Sequence, residues 1–201
     1  MPKSKNIIPM ADSSKEITAN DVKPTVLPDA YHDSAIATAF STFHLPRYRE
    51  LPGMTLYREQ VIDYIEDLLH PLSPCIEGTW LTPSMVNNYV KMGLVPSPVK
   101  KQYGREHIAR LITICIFKQI VPIAAIESLF TIQKYSYHAE QAFDYIGTEL
   151  EAGLHAAFSM DGQKTQDTAK NVTRESLLVR SAITAFVSKA YLMGYLTYTD
   201  I

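Results

Sequence analysis

The sequence predicts a mainly α-helical protein: a head of short elements followed by a helical C-terminal module. Three observations carry that prediction. Eight of the 12 prolines lie at or before Pro74 and none follows Pro122, so the last third of the chain is free to form long helices. Apolar residues recur at three- and four-residue spacing in one segment after another. A Thr-Pro pair at 82–83 and a glycine at 93 bracket a short apolar-periodic stretch, the start and stop signals of a capped helix.

Residues 1–42 are expected to form a flexible N-terminal arm. The first 28 are rich in Lys, Asp, Ser, Thr and Pro and hold no sustained period. Ala35 to Phe43 reads as a short helix, and Leu45-Pro-Arg-Tyr-Arg-Glu-Leu-Pro52 as an extended segment. A helix capped by Thr55 places Val61, Ile62, Ile65, Leu68 and Leu69 on one side and ends at His70-Pro-Leu-Ser-Pro74. The next opens at Thr82-Pro83, carries Met85, Val86, Tyr89 and Val90 inward, and stops at Gly93. Val99-Lys-Lys-Gln-Tyr103 is a short basic extended piece, followed by helices from about Arg105 to Gln119 and from Pro122 to about Ile132. Residues 43–132 are thus one expected unit.

Residues 133–201 form the second, a module for dimerisation or sensing. His138 to Phe158 aligns Ala142, Phe143, Ile146, Leu150 and Leu154 on one stripe. Glu140 and Asp144 share its outer face and read as solvated. After a polar loop over residues 159–170, a helix from about Val172 to Leu196 is apolar over most of its circumference. Such a helix is central to a fold or to an oligomer.

Composition excludes several classes. The chain has 201 residues, 46% apolar and 20% charged, with a net charge of −2, a globular profile. Two cysteines, Cys75 and Cys115, make no disulfide framework or Cys-rich zinc site. Cys115 reads as core and Cys75 as a loop residue. No stretch resembles a signal peptide or an uninterrupted membrane span, so a cytoplasmic protein without a membrane partner is expected. No nucleophile elbow, His-Glu-x-x-His or phosphate loop is present, and the six His share no metal spacing; neither an enzyme nor a cofactor is expected.

The small total conceals a segregation. Residues 1–80 sum to −4, residues 81–118 to +5 and residues 119–201 to −3. In the central segment Lys91, Lys100, Lys101, Arg105, Arg110 and Lys118 face one acid, Glu106. That excess falls on the short capped helix, whose Ser84, Asn87, Asn88 and Lys91 share the side away from its apolar residues. Short side chains that donate and accept suit base edges and phosphates. Arg105, at a helix start where the dipole disfavours a cation, would be relieved by a phosphate.

Met92-Gly-Leu-Val-Pro96, Lys100-Lys-Gln-Tyr103, the helix after it and Pro122-Ile-Ala-Ala-Ile-Glu-Ser-Leu-Phe130 resemble the winged helix-turn-helix of the MerR family. More narrowly, Leu45-Pro-Arg-Tyr-Arg-Glu-Leu-Pro52, Leu56-Tyr-Arg-Glu-Gln-Val61, Leu81-Thr-Pro-Ser-Met-Val-Asn-Asn-Tyr-Val-Lys91 and Lys101-Gln-Tyr-Gly-Arg-Glu-His107 resemble a bacterial family known only as a domain of unknown function, over about residues 43–196. The MerR resemblance implies a transcription regulator that binds double-stranded DNA as a homodimer. Its recognition helix would enter the major groove and its basic wing would sit on phosphates. The expected contacts are Ser84, Asn87, Asn88, Lys91, Lys100, Lys101, Tyr103 and Arg105. Two alternatives stand beside it. One is a protein-interaction module that kept the winged fold without DNA readout, motivated by the acidic flanks. The other is a sensor whose small-molecule effector sits among Tyr135, Tyr137, Tyr145, Phe158, Tyr191 and Tyr195.

Overall fold

The computed structural model describes residue 25, residues 27–159 and residues 167–200. Seven α-helices and one two-stranded sheet are found there, in the order α1 (Ala35–Ser41), β1 (Leu56–Tyr57), α2 (Arg58–Leu69), α3 (Pro83–Lys91), β2 (Gln102–Tyr103), α4 (Arg105–Phe117), α5 (Ile123–Ser136), α6 (Ala139–Phe158) and α7 (Arg174–Thr199). The protein is mainly helical, and its helices fall close to the stretches that the apolar period marks.

The core is one continuous cluster running from Tyr31 to Ala190, and it crosses the border expected at residue 132. Helix α4 lies at its centre, because every residue from Leu111 to Phe117 is buried, as are Ile108 and Ala109. An unbroken apolar run such as Leu111-Ile-Thr-Ile-Cys-Ile-Phe117 has no face to give to water; its one polar side chain, Thr113, donates to the Ala109 carbonyl at 3.0 Å. α6 and α7 pack along each other and both touch α4, while α1 lies on α6.

Part of the expected arm is folded. Residues 1–24 lie outside the described residues, but Tyr31 and Phe40 are fully buried. The Tyr31 ring sits 5.4 to 6.0 Å from the rings of Phe158, Tyr191, Tyr195 and Tyr198. Gly194 makes this approach possible: a Cβ there would stand 2.5 Å from the Tyr31 hydroxyl. Ser34 caps α1 by accepting from Ala37 N–H at 3.1 Å.

The segment 45–52, expected to be extended, is so only at its start: Tyr48 to Glu50 form a turn in which Glu50 and Leu51 N–H donate to the Arg47 carbonyl at 2.9 and 3.2 Å, and carboxylates fasten the segment to α6. Glu151 takes the Arg47 guanidinium bidentately, at 2.9 and 2.6 Å, and also accepts from Leu45 N–H at 2.9 Å. Asp144 and Glu140, expected on a solvated face, hold the same segment: Asp144 accepts from Tyr48 N–H at 2.6 Å and Glu140 pairs with Arg49 at 2.5 Å. The segment's unpaired backbone and cationic side chains need acceptors, and α6 supplies them in a row.

The connection between α2 and α3 is not the three- or four-residue turn of a simple helix-turn-helix. It spans residues 70–82 and includes a 3₁₀ turn, His70–Cys75. Cys75, expected in an open loop, is buried there and donates to the Leu72 carbonyl at 2.8 Å. Burial pushes the thiols of both Cys75 and Cys115 up to about 12, so neither is a thiolate near neutral pH. Trp80 anchors the end of the connection. Its ring is fully buried, its Nε1–H reaches Ser73 Oγ at 3.3 Å, and its carbonyl accepts from Lys118 and from Cys115. Next to it, Leu81 N–H donates to Glu66 of α2 at 2.7 Å. The start of α3 is thereby tied to both α2 and α4.

Candidate nucleic-acid interface

Helix α3 begins where Thr82 Oγ1 accepts from Met85 N–H at 3.2 Å, with Pro83 in the first turn. It ends at Gly93, whose φ of +76° only a residue without a side chain adopts freely. Leu94 N–H closes on the Tyr89 carbonyl and Gly93 N–H on that of Val90, both at 3.0 Å, the Schellman arrangement. Val86 and Tyr89 are buried. Ser84, Asn87, Asn88 and Lys91 are all exposed, as the spacing predicts, and no acid interrupts that face.

The basic piece after α3 is a hairpin rather than one extended stretch. Val99 and Gln102 exchange backbone hydrogen bonds at 3.2 and 2.9 Å, and Lys100 and Lys101 form the two-residue tip with φ of 52° and 63°. Two successive positive φ values are what a type I′ hairpin turn demands, and Asn-Gly is its favoured pair. Two lysines there hold strained backbone and project two exposed cations. The returning strand pairs with the chain just before α2, Leu56 opposite Tyr103 and Tyr57 opposite Gln102. Thr55 donates to the Gln102 side chain at 3.1 Å.

Arg58 joins the two parts. It is the first residue of α2, directly after β1, and its Nη1 donates to Asn87 Oδ1 of α3 at 3.2 Å while Nη2 pairs with Glu59 at 2.6 Å. The sequence holds a signal for it: a cation in the first turn of a helix opposes the dipole, at Arg58 as at Arg105.

Two of the expected contact residues lie away from the exposed face of α3 and the hairpin tip. Tyr103 is 5% exposed and packs edge-on against His107, ring centroids 5.5 Å apart. Arg105 turns inward: its Nε donates to the Leu51 carbonyl at 3.2 Å and its guanidinium lies over the Tyr48 ring at 5.9 Å. The cation disfavoured at a helix start has a backbone carbonyl as its acceptor. Two further cations of the +5 segment are also held inside. Arg110 pairs with Glu106, donates to the Leu94 carbonyl and covers the Phe130 ring. Lys118 donates to the Trp80 carbonyl. Lys91, Lys100 and Lys101 remain as exposed cations.

A model of one family, described as "Domain of unknown function (DUF1836)", matches residues 46–148, half of the chain. The chain belongs to this family. The matched span takes in α2, α3, the hairpin, α4 and α5, and ends inside α6, so the exposed face of α3 and the hairpin lie within the family's domain while α7 lies beyond it. No curated protein and no solved structure matches.

A second feature lies partly in the family span. A cavity of about 530 Å³ opens between α5, α6 and the start of α7. Of the six aromatics expected to share a pocket, Tyr137 and Tyr145 line it. Phe158, Tyr191 and Tyr195 pack around Tyr31 instead, and Tyr135 is exposed. Ile132, Leu129 and Val179 supply apolar wall. Lys170 and Glu175, which aromatic spacing does not reveal, add one charge of each sign.

Proposed function

We propose that this protein is a cytoplasmic DNA-binding regulator that reads duplex DNA with α3 and grips the backbone with the hairpin as a wing. What carries the reading is one juxtaposition: the acid-free face of Ser84, Asn87, Asn88 and Lys91, linked through Arg58 to a hairpin whose tip is Lys100-Lys101. Asparagines on a helix face suit adenine edges in the major groove, and lysines on a hairpin tip suit phosphates. A single short helix reads few base pairs, so a dimer on two half-sites is part of the proposal.

The hairpin allows charge and fold to be separated. Lys100→Asn with Lys101→Gly installs the pair that a type I′ turn favours, so the melting temperature is expected to rise, by the equivalent of about 1–2 kcal/mol. Duplex affinity, followed by fluorescence anisotropy, is expected to fall, and the slope of log K against log salt to drop by about two units per protomer. A variant that is more stable and binds duplex as well as the parent would remove the wing from the account.

The cavity favours a second, compatible reading, a small-molecule effector that tunes the regulator. Its volume lies in the range of ligand pockets, and apolar walls with a few polar groups are the usual lining. A binder present at about 100 times its dissociation constant stabilises by about 2.7 kcal/mol. A thermal-shift screen is expected to yield compounds whose effect Ala142→Phe, which fills the cavity wall, abolishes.

A further inference from the structure

Helix α7 is only half used by the fold. Ile183, Phe186, Val187, Ala190 and Gly194 face the core, while Leu177 is 50% and Leu192 57% exposed. Ser181, Thr184, Ala185 and Ser188 complete the outer stripe. By length and composition alone α7 is also apolar enough to cross a membrane, and about a third of its most apolar stretch is buried.

The outer stripe holds no charge between Leu177 and Tyr195. The two cations of that stretch flank it and are drawn inward: Arg180 lies toward Glu149 and Asp167, and Lys189 donates to the Gln119 carbonyl at 3.2 Å. The serine hydroxyls are satisfied within the helix, Ser181 donating to the Leu177 carbonyl at 2.7 Å and Ser188 to that of Thr184 at 2.9 Å. They therefore need no water when covered.

The stripe also reads the same in both directions. About a centre between Thr184 and Ala185, Ser181 mirrors Ser188 and Leu177 mirrors Leu192. We infer that the outer face of α7 is a two-fold interface on which a second copy of this chain packs antiparallel. In that pairing each leucine meets a leucine and each serine a serine. The small residues fall at the crossing point, where helices approach to about 8 Å. Beyond the leucines, exposed Arg174 comes opposite Tyr195 of the second copy, a cation against an aromatic ring. Such a pairing is isologous, as a closed dimer requires.

A strip one helix wide and about 33 Å long covers roughly 300–400 Å² per protomer, below the ~800 Å² of a standard interface. The dimer is accordingly weak, with a dissociation constant in the micromolar range, and it forms without DNA. The inference does not rest on the DNA-binding reading.

Sedimentation velocity of the full chain, without nucleic acid, is expected to show a protomer–dimer equilibrium. Ser181→Glu with Ser188→Glu sets like charges against each other across the seam and weakens the dimer roughly tenfold or more. Ser181→Glu with Ser188→Lys opposes unlike charges in the same register and restores it, with an affinity that now falls with salt. Positions seven apart do not pair within one helix, so the rescue reports the partner. Both sites are exposed, and thermal melting by circular dichroism is expected to stay unchanged. A chain that remains protomeric, whether free or pelleting with phosphatidylcholine–phosphatidylglycerol vesicles, would overturn the inference. So would a dimer indifferent to the double glutamate variant.

Discussion

Trp80→Ala is expected to destabilise the protein by about 3–5 kcal/mol, lowering the melting temperature by roughly 10 °C in a chain of this size. The ring is fully buried, and its removal leaves a cavity that a connection tied down on both sides cannot collapse. Glu66 holds Leu81 N–H from α2, and Lys118 and Cys115 hold the Trp80 carbonyl from α4. Those ties pass through backbone atoms that the substitution keeps, so the chain is expected to remain folded at low temperature. What loosens is the seat of α3. Calorimetry on Trp80→Ala beside Trp80→Phe, which retains most of the burial and costs less, separates the cavity from any loss of fold. A loss below about 1 kcal/mol for the alanine variant would mean that the connection is not seated as described.

Glu151→Ala carries the second large effect, about 2 kcal/mol. The carboxylate accepts both arms of Arg47 and the Leu45 N–H, and its removal orphans those donors. The side chains are 24% and 29% exposed, so solvent moderates the loss below that of a fully buried pair. Gly147 leaves the space for the guanidinium: a Cβ there would lie 2.7 Å from Arg47 Nη1. Burial raises the Glu151 carboxyl, but the Arg47 hydrogen bonds and Leu45 N–H outweigh it and leave it below its ordinary value of 4.5. A carboxyl lowered on folding stabilises above its unfolded pKa, and that contribution is lost as pH falls through the folded one. The melting-temperature gap between the parent and Glu151→Gln is therefore expected to close as the solution is taken below about pH 5. A gap that persists unchanged into acid would assign the effect to packing instead of charge.

The helices were legible because each carries its own period and its own punctuation. Thr82-Pro83 and Gly93 mark α3 within a residue or two, and the uncharged run in α4 announces the centre of the core. The exposed face of α3 followed from the same spacing. What could not be read is pairing across long stretches of chain. Arg47 and Glu151 are about a hundred residues apart, and no local pattern distinguishes Asp144 on a latch from Asp144 in water. The charge count failed for the same reason. It registers six cations over residues 81–118 but not that Arg105, Arg110 and Lys118 reach backbone carbonyls. The tip of the hairpin was hidden by its composition, since Lys-Lys is an unusual choice where the turn favours Asn-Gly. α7 was legible as apolar and central to a fold or an oligomer; its exposed, mirror-ordered stripe supports the second use as well as the first.

The three exposed lysines of α3 and its hairpin set a modest electrostatic scale for any nucleic-acid contact there, and this makes the central proposal measurable. The most direct test is the binding of the unmodified protein to a pool of genomic duplex fragments, titrated by anisotropy over a range of salt. With Lys91, Lys100 and Lys101 on phosphates, log K is expected to fall against log salt with a slope of about −3 per bound protomer. A subset of fragments should persist in competition against bulk duplex, as base readout by Asn87 and Asn88 requires. No duplex binding above background at low salt, or a slope near zero, would contradict the assignment of α3 and its wing to DNA.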